Sequence, residues 1–386
     1  VSAGELILAT GSAPAAPASG RVTLYVETDG TLYLKDAAGT ARQVWLGSGN
    51  APYLWRNALI NGSFAIWQRQ SDPATATEYA DDEYCADRWY VLTQSGPIDA
   101  QRIDGDTQRY AARLTQKQAT AQKIGLAQII EGANCRHLRG QSVTLSARVR
   151  CSAASTARIA VLEWAGGEDS VTSDVVANWT TWAWAANVSG PGTTATASLS
   201  AATWAELEQT VTLGSSFTNL IVFVWVDALG QSTTLDLEAA QLERGDAATP
   251  FEMRPVGAEL ALCQRYYQVF NPGNASYIGY MWAGDAYIYN QVVTLLVQMR
   301  ATPTVSDTNP TWAASFPGTN NQASFYDPSA GAYITSSGTF DITYGASVSS
   351  LSFRYDDSVD FSGSSPGSIG RSTFGTAYRA YLDAEL

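Results

Sequence analysis

Residues 235–267 read LDLEAAQLERGDAATPFEMRPVGAELALCQRYY, and the hydrophobic period changes inside them. Leu235 and Leu237 alternate with Asp236 and Glu238, the period-2 pattern of a half-buried strand. Arg244, Gly245 and Asp246 end it with turn chemistry. Pro250 and Pro255 bracket an extended connector, because proline fixes φ and disfavours α geometry in the residue before it. Beyond Pro255, Val256, Leu260, Cys263 and Tyr267 recur at i, i+4, i+7 and i+11, one face of a helix. The stretch predicts the last strand of one β-domain, a connector, and a short helix leading elsewhere.

Outward from this seam the chain reads as strands on both sides. Upstream, strands are predicted at 143–150, 158–164, 180–188, 209–213, 219–226 and 233–242. Leu220 to Val226 is continuously apolar, as in a strand covered on both faces. Residues 118–139 have some helical character. Trp89, in ADRWYVL, is a candidate core anchor. Downstream, strands are predicted at 277–282, 286–296, 323–326, 332–335, 339–344, 348–355 and 377–382. Regular strands separated by Gly, Ser, Thr and Asn loops indicate antiparallel sandwiches. At the other end, residues 1–20 are a low-complexity arm. Val22, Leu24 and Val26, then Leu32 and Leu34, alternate around Asp29-Gly30, a hairpin signal, and a third strand follows at 41–46. Three strands so poor in apolar residues must pack on copies, a partner or the next domain.

Composition agrees with an all-β chain. Of 386 residues 15% are charged, 45% are hydrophobic and 32 are glycine, which suits many short strands and turns rather than long charged helices. A formal net charge of −13 argues against nucleic acid as a partner and against a basic membrane-binding patch. No apolar run is long enough to span a bilayer, so no membrane insertion is expected. The first residues lack the pattern of a secretory signal, and export by host lysis is one alternative. Cys85, Cys135, Cys151 and Cys263 form no C-x-x-C pair and there is one histidine, His137, so four buried thiols and no zinc site are expected.

Two stretches carry a family resemblance. The first is Gln241, Leu242, Glu243, Gly245, Ala248, Thr249, Pro250, Phe251, Glu252, Arg254 and Pro255, followed by Cys263, Gln264, Arg265, Tyr266 and Tyr267. The second is Arg56 to Phe64, with Trp67, Gln68 and Arg69 after it. Together they resemble phage fibre proteins in which a carbohydrate-binding-module-like jelly roll ends in "QLE.G..ATPFE.RP" and a helix in "CQRYY". The terminal YLDAEL resembles the ending of the same proteins; Gln70 stands where they often carry glycine. The resemblance implies a modular fibre protein: an N-terminal attachment segment of β-hairpins (1–55), a jelly-roll β-sandwich (56–254), a linker helix (255–268) and a C-terminal β-sandwich tip (269–386). It implies a homotrimer on the virion surface, joined through residues 1–55 to a particle protein and adhering to host cell-surface polysaccharide. Tail fibre and head spike both remain open.

The residues that could carry chemistry favour binding over catalysis. Asp81, Asp82, Glu83 and Asp87 cluster, as do Asp356, Asp357 and Asp360. Such clusters are mostly solvated turns, at times calcium ligands; a glycosidase would need two carboxylates facing across a cleft. No G-x-S-x-G, P-loop or H-E-x-x-H occurs. A non-enzymatic protein without cofactor or metal is therefore expected, with a depolymerase and a structural spacer as rivals. The aromatic content is the better clue: 12 Trp and 19 Tyr against 11 Phe. Trp and Tyr join an apolar face to a polar edge, which suits a sugar ring. The densest group gives the first candidate carbohydrate site, Trp282, Asp285, Tyr287, Tyr289 and Asn290. Trp179, Trp182 and Trp184 are the alternative, with Trp182 and Trp184 on one face. Core packing or subunit contact competes with ligand contact for each ring.

Overall fold

The computed structural model describes residues 11–28, 32–43, 55–192, 194–270, 277–283, 288–307, 312–313, 324–327, 332–334, 339–357, 369–373 and 380–386. In several C-terminal strands only the backbone is described. The chain divides into two compact units, Val1–Arg56 and Asn57–Leu386. The first holds an antiparallel sheet of β1 (Thr23–Val26), β2 (Leu32–Lys35) and β3 (Ala41–Gln43). Its apolar poverty is visible: Tyr25 and Leu32 are buried, while Val22 is 60% exposed.

The second unit is built on two six-stranded antiparallel sheets. The front sheet runs β15 (Ala205–Thr212), β9 (Ser142–Cys151), β17 (Thr234–Arg244), β7 (Tyr110–Gln116), β6 (Ile98–Asp104), β4 (Thr77–Tyr79). The back sheet runs β13 (Val188–Ser189), β10 (Ser155–Trp164), β16 (Asn219–Leu229), β8 (Gln122–Ile130), β5 (Tyr90–Thr93), with β14 (Ala195–Leu199) also on β10. Inner faces of both sheets share one core: Leu126, Val222 and Val224 from the back, Leu145, Val149 and Leu237 from the front, with Trp89 fully buried among them. The fold is all-β, a sandwich of the jelly-roll kind. Residues 118–139 narrow one expectation: their apolar stretch forms β8 (Gln122–Ile130), and helix is confined to the single turn α1 (Gly132–Cys135) and a 3-10 turn at Arg136–Leu138. Their apolar run fills both faces of a buried strand, which periodicity cannot tell from a helix.

The motif stretches prove to be the knot that closes this unit. Asn57 Nδ2 donates to the Ala240 carbonyl (3.1 Å), and its Oδ1 accepts from the Leu59 and Leu242 amides. The fully buried Asn61 donates to the Ile66 and Asp87 carbonyls. A Cβ on Gly62 would sit 2.0 Å from the Ala240 oxygen, so only glycine fits there. From the other stretch, Glu243 accepts from the Thr249 amide and hydroxyl, Gln241 accepts from the Glu252 amide, and Arg254 donates to the Leu59 and Asn57 carbonyls.

The helix α2 (Val256–Gln264) forms where expected; Cys263 is buried and Leu260 packs beside it as expected, but Glu259 is buried too. Val256 is 64% exposed, and Tyr267 opens β18 (Tyr267–Phe270). Glu259 is drawn inward: it accepts from the Asn61 amide and pairs with Arg254. Beyond it lie a sheet of β18, β28 (Ala380–Asp383) and β21 (Thr304–Asp307), and an eight-stranded sheet. The latter runs β22 (Trp312–Ala313), β25 (Thr339–Ala346), β26 (Ser350–Asp357), β20 (Ile288–Thr294), β19 (Tyr277–Ala283), β27 (Ile369–Thr373), β23 (Ser324–Asp327), β24 (Ala332–Ile334). Among the described residues no helix is long and apolar enough to cross a membrane.

The chain's last residues return to the sandwich. Arg88, 1% exposed, donates to the Ile129 carbonyl (2.6 Å), pairs with Glu385, and lies 3.6 Å over the Tyr266 ring. Arg69 pairs with Asp383 at 2.8 Å, and the Tyr84 hydroxyl donates to the Leu386 carbonyl. Breaking a buried pair leaves an uncompensated charge. Glu385→Ala is therefore expected to destabilise the whole chain by about 3 kcal/mol or more in denaturant unfolding. A loss under about 1 kcal/mol, the range of exposed pairs, would mean that this end does not hold the seam.

Asp87 adds a pH dependence to the same seam. Burial pushes its carboxyl up to about 6, against hydrogen bonds from Gln68 and the charge of Arg69. A raised folded pKa means that the folded chain binds more proton than the unfolded chain between about pH 4 and 6. This group's contribution to stability is thus greatest at the acid end and falls as pH climbs to 6. Wild type minus Asp87→Asn stability, measured from pH 4 to 7, should decline with pH; a flat difference would show that Asp87 keeps an ordinary carboxylate pKa.

Candidate functional site

The outer face of the back sheet is apolar. Ile221, Phe223 and Trp225 point outward from β16 while Leu220, Val222 and Val224 point into the core. An excursion at 165–190 covers that outer face with buried Val171, Val175 and Val176. It contains a short hairpin, β11 (Val176–Asn178) with β12 (Ala183–Trp184), turned by Asn178, whose Oδ1 accepts from the Thr180 and Thr181 amides. The single strand predicted over 180–188 is therefore broken. Trp182 takes φ +56°, a left-handed conformation unusual for a bulky residue, and strand pairing resumes only at Ala183.

That turn gathers the three tryptophans. Phe223 and Trp225 stack at 4.3 Å as a base. Trp182 and Trp184 approach Trp225 at 5.0 and 6.1 Å, so they do share a side; Trp179 meets Phe223 at 5.9 Å and Trp182 at 5.7 Å. All three stay half-buried. Cations edge the group: Lys123 Nζ lies 4.8 Å from the Trp182 centroid and donates to the Trp179 carbonyl, and Arg158, held by Asp227 at 2.6 Å, lies 5.6 Å from the same ring. Trp225 Nε1 is buried with no partner among the described residues. Chemically this is an aromatic surface with polar edges, able to stack on a ring and donate hydrogen bonds.

The first candidate group is placed by backbone only. Register sets Trp282 opposite Asn290 and Ala283 opposite Tyr289 across β19 and β20. Asp285 and Tyr287 lie outside the described residues. Asp356 and Asp357 lie in β26, and Asp360 also falls outside.

The acidic cluster of residues 81–87 is divided. Glu83 caps the Ala80 amide, Asp87 turns inward to Gln68, and Asp81 and Asp82 meet Asp174. A cleft of about 460 Å³ lies beside them, lined by Arg69, Gln70, Tyr79, Tyr84 and Asp383 among others. The front sheet carries a feature that sequence reading missed. Trp204 packs under Arg148 and Arg150, at 5.3 and 4.7 Å. Asp236 accepts from Arg113 and Arg150, and Glu238 from Arg148 and the Asp106 and Thr107 amides. These carboxylates are buried and saturated with donors, so neither is placed to exchange a proton with substrate. The Leu235–Glu238 alternation foretold that two acids face outward, but not the three arginines brought from β7 and β9.

The four cysteines are buried and free, and burial holds each thiol proton, with Cys85 and Cys151 pushed up to about 12 and Cys135 to about 11. His137 is exposed on a 3-10 turn.

No family model and no curated protein matches the chain. Solved structures match part of the chain at low identity. The CBM22-1–GH10 modules of Clostridium thermocellum xylanase 10B, complexed with xylohexaose, are 14% identical, with TM-score 0.28 over 46% of this chain and 30% of theirs. The CBM22-2 xylan-binding domain of Paenibacillus barcinonensis Xyn10C is 9% identical, with TM-score 0.29 over 44% of this chain and 99% of its own. The enzymatically active domain of bacteriophage CBA120 tailspike protein 4 is 11% identical, with TM-score 0.27 over 49% of this chain and 22% of its own. The chain thus spans less than a third of the xylanase and tailspike chains. What those proteins bind or cleave is a property of those proteins.

Proposed function

We propose that the chain is a virion fibre subunit that adheres to host cell-surface polysaccharide without cutting it. The observation that supports the carbohydrate part is the group of Trp179, Trp182 and Trp184 on the stacked Phe223–Trp225 base, with Lys123 and Arg158 at its edge. Half-buried indoles keep a surface for the C–H face of a sugar, and the cations at the edge suit its hydroxyls or carboxylates. The fibre part rests on the ordered resemblance of residues 241–267. A homotrimer, joined to the particle through residues 1–55, would multiply weak single sites. The tip group Trp282, Asp285, Tyr287, Tyr289 and Asn290 is a second reading, favoured by the backbone register that pairs Trp282 with Asn290. Head spike and structural spacer stay as alternatives, and a depolymerase as a weaker one.

Each stacked ring should contribute about 1 kcal/mol, roughly fivefold in affinity. On a glycan array with the soluble full chain, Trp182→Ala and Trp184→Ala should each weaken capture by about that factor, while Trp204→Ala on the opposite sheet should not. Undiminished capture by folded variants would overturn this site and turn the test to Trp282→Ala. Light scattering should give three times 41.2 kDa; a clean monomer would remove the trimer.

A further inference from the structure

The two cations beside the tryptophans differ in what already neutralises them. Arg158 on β10 and Gly125 on β8 are the register partners of Trp225. Lys123 stands two residues before Gly125 on the same outward face, so Arg158 and Lys123 reach the rings from the strands on either side of β16. Arg158 is held by both oxygens of Asp227, each at 2.6 Å, and its charge is offset in place. Lys123 is half-buried and pairs with no carboxylate among the described residues; its ammonium donates to the Trp179 carbonyl and lies 4.8 Å from the Trp182 centroid. An ammonium has three donors, so donors remain free. Lys117, by contrast, is paired with both Glu78 and Asp99. Asp81, Asp82 and Asp174 form a group of their own, and Lys123 is not among the charges that act on Asp81 or Asp82. The edge of the aromatic group thus carries two cations, Lys123 and Arg158, against one carboxylate, Asp227, on a chain whose formal net charge is −13.

We propose that this surface selects anionic glycans, Lys123 pairing with the carboxylate of a uronic-acid residue whose ring stacks on the tryptophans. This selectivity rests on the carbohydrate reading above and names the sugar class for that same site. A half-buried ammonium has lost part of its hydration, and an indole beside it restores only some of that loss. A carboxylate completes the pair and takes the free donors at charge-assisted strength. In a uronic acid the carboxylate is bonded directly to a ring carbon. It therefore lies at the rim of the sugar while the C–H face stays free to stack, and one residue meets both the rings and the cation. A neutral hexose offers a hydroxymethyl group at that position, which accepts a hydrogen bond but brings no charge. A sulfate ester stands off the ring on its own oxygen, so its charge is not fixed to the stacked ring in this way. The negative charge of the whole chain repels such a polymer only over distances that salt screens beyond about 8 Å, so the local excess of cation decides.

The test presents the soluble full chain with polygalacturonate, alginate and unsulfated chondroitin, each beside its carboxyl-reduced product. Reduction keeps ring and linkage and turns each carboxylate into a neutral hydroxymethyl group. Wild type should hold the uronate forms roughly tenfold more tightly, between the worth of an exposed ion pair and that of a buried charged hydrogen bond. Added salt should erase much of that preference and leave the reduced forms unaffected. Lys123→Gln should lower uronate capture alone and so abolish the preference, while Lys123→Arg should keep it. Asp227→Asn, which frees Arg158, should act in the opposite direction and raise uronate capture by about twofold or more. Sulfated chondroitin should bind no better than the unsulfated polymer; capture that follows sulfate instead would overturn the carboxylate assignment. Should Lys123→Gln melt below wild type, the comparison of each polymer with its reduced form and the rise in Asp227→Asn still decide. Equal capture of uronate and reduced forms would overturn the selectivity and leave the adhesion reading standing. A uronate preference that survives in folded Lys123→Gln would also overturn it. Capture of neither form would sink the adhesion reading, and the selectivity with it.

Discussion

The architecture depends on one strand that is apolar on both faces. β16 sends Leu220, Val222, Val224 and Val226 into the sandwich and Ile221, Phe223 and Trp225 out of it. A strand of this kind cannot lie on the outside of a two-layer fold, since each large side chain left in water forfeits roughly 1.5–3 kcal/mol. The front sheet covers one face. The other must be covered by something else, and the excursion at 165–190 does so without forming a third layer. Its tryptophans are there first because β16 needs a roof. They are only half-buried, so the roof also leaves aromatic surface in contact with solvent.

A second constraint joins the chain's distant parts. Asn57, Asn61, Gln241, Glu243, Arg254 and Glu259 are buried or nearly so, and a buried polar group without a partner costs on the order of 1–3 kcal/mol. Here they satisfy one another across the first and last segments of the sandwich. Changing one member orphans several, which is why such residues form an ordered motif rather than scattered identities. Arg88 extends the logic to the C-terminus: its charge is tolerable only with Glu385 against it and Tyr266 beneath.

Much of this was legible in the sequence, and the failures have physical causes. Strand alternation placed β9 and β17 because a period of two survives any tertiary context that leaves one face buried. Continuous apolarity identified β16 as covered on both faces. The helix after Pro255 was legible in position and, at Leu260 and Cys263, in face, but periodicity counts Val256 as apolar and cannot know that Glu259 has a buried partner in Asn61. At 180–188 the alternation Trp182, Trp184 imitated a strand, and the left-handed turn at Trp182 has no signature in a residue type that seldom adopts it. The acid cluster was visible as four neighbours, yet its closest assembly joins two of them to Asp174, a partner that folding alone supplies.

That assembly bears on how the aromatic roof is held. A two-stranded hairpin is marginal alone, and β11 and β12 share little pairing. Packing of Val171, Val175, Val176 and the three indoles on the outer face of β16 therefore carries the attachment. The carboxylates at Asp81, Asp82 and Asp174 act independently of the rings. Asp81 and Asp174 are exposed, so water screens most of their mutual repulsion, and the apolar contacts decide where the excursion sits.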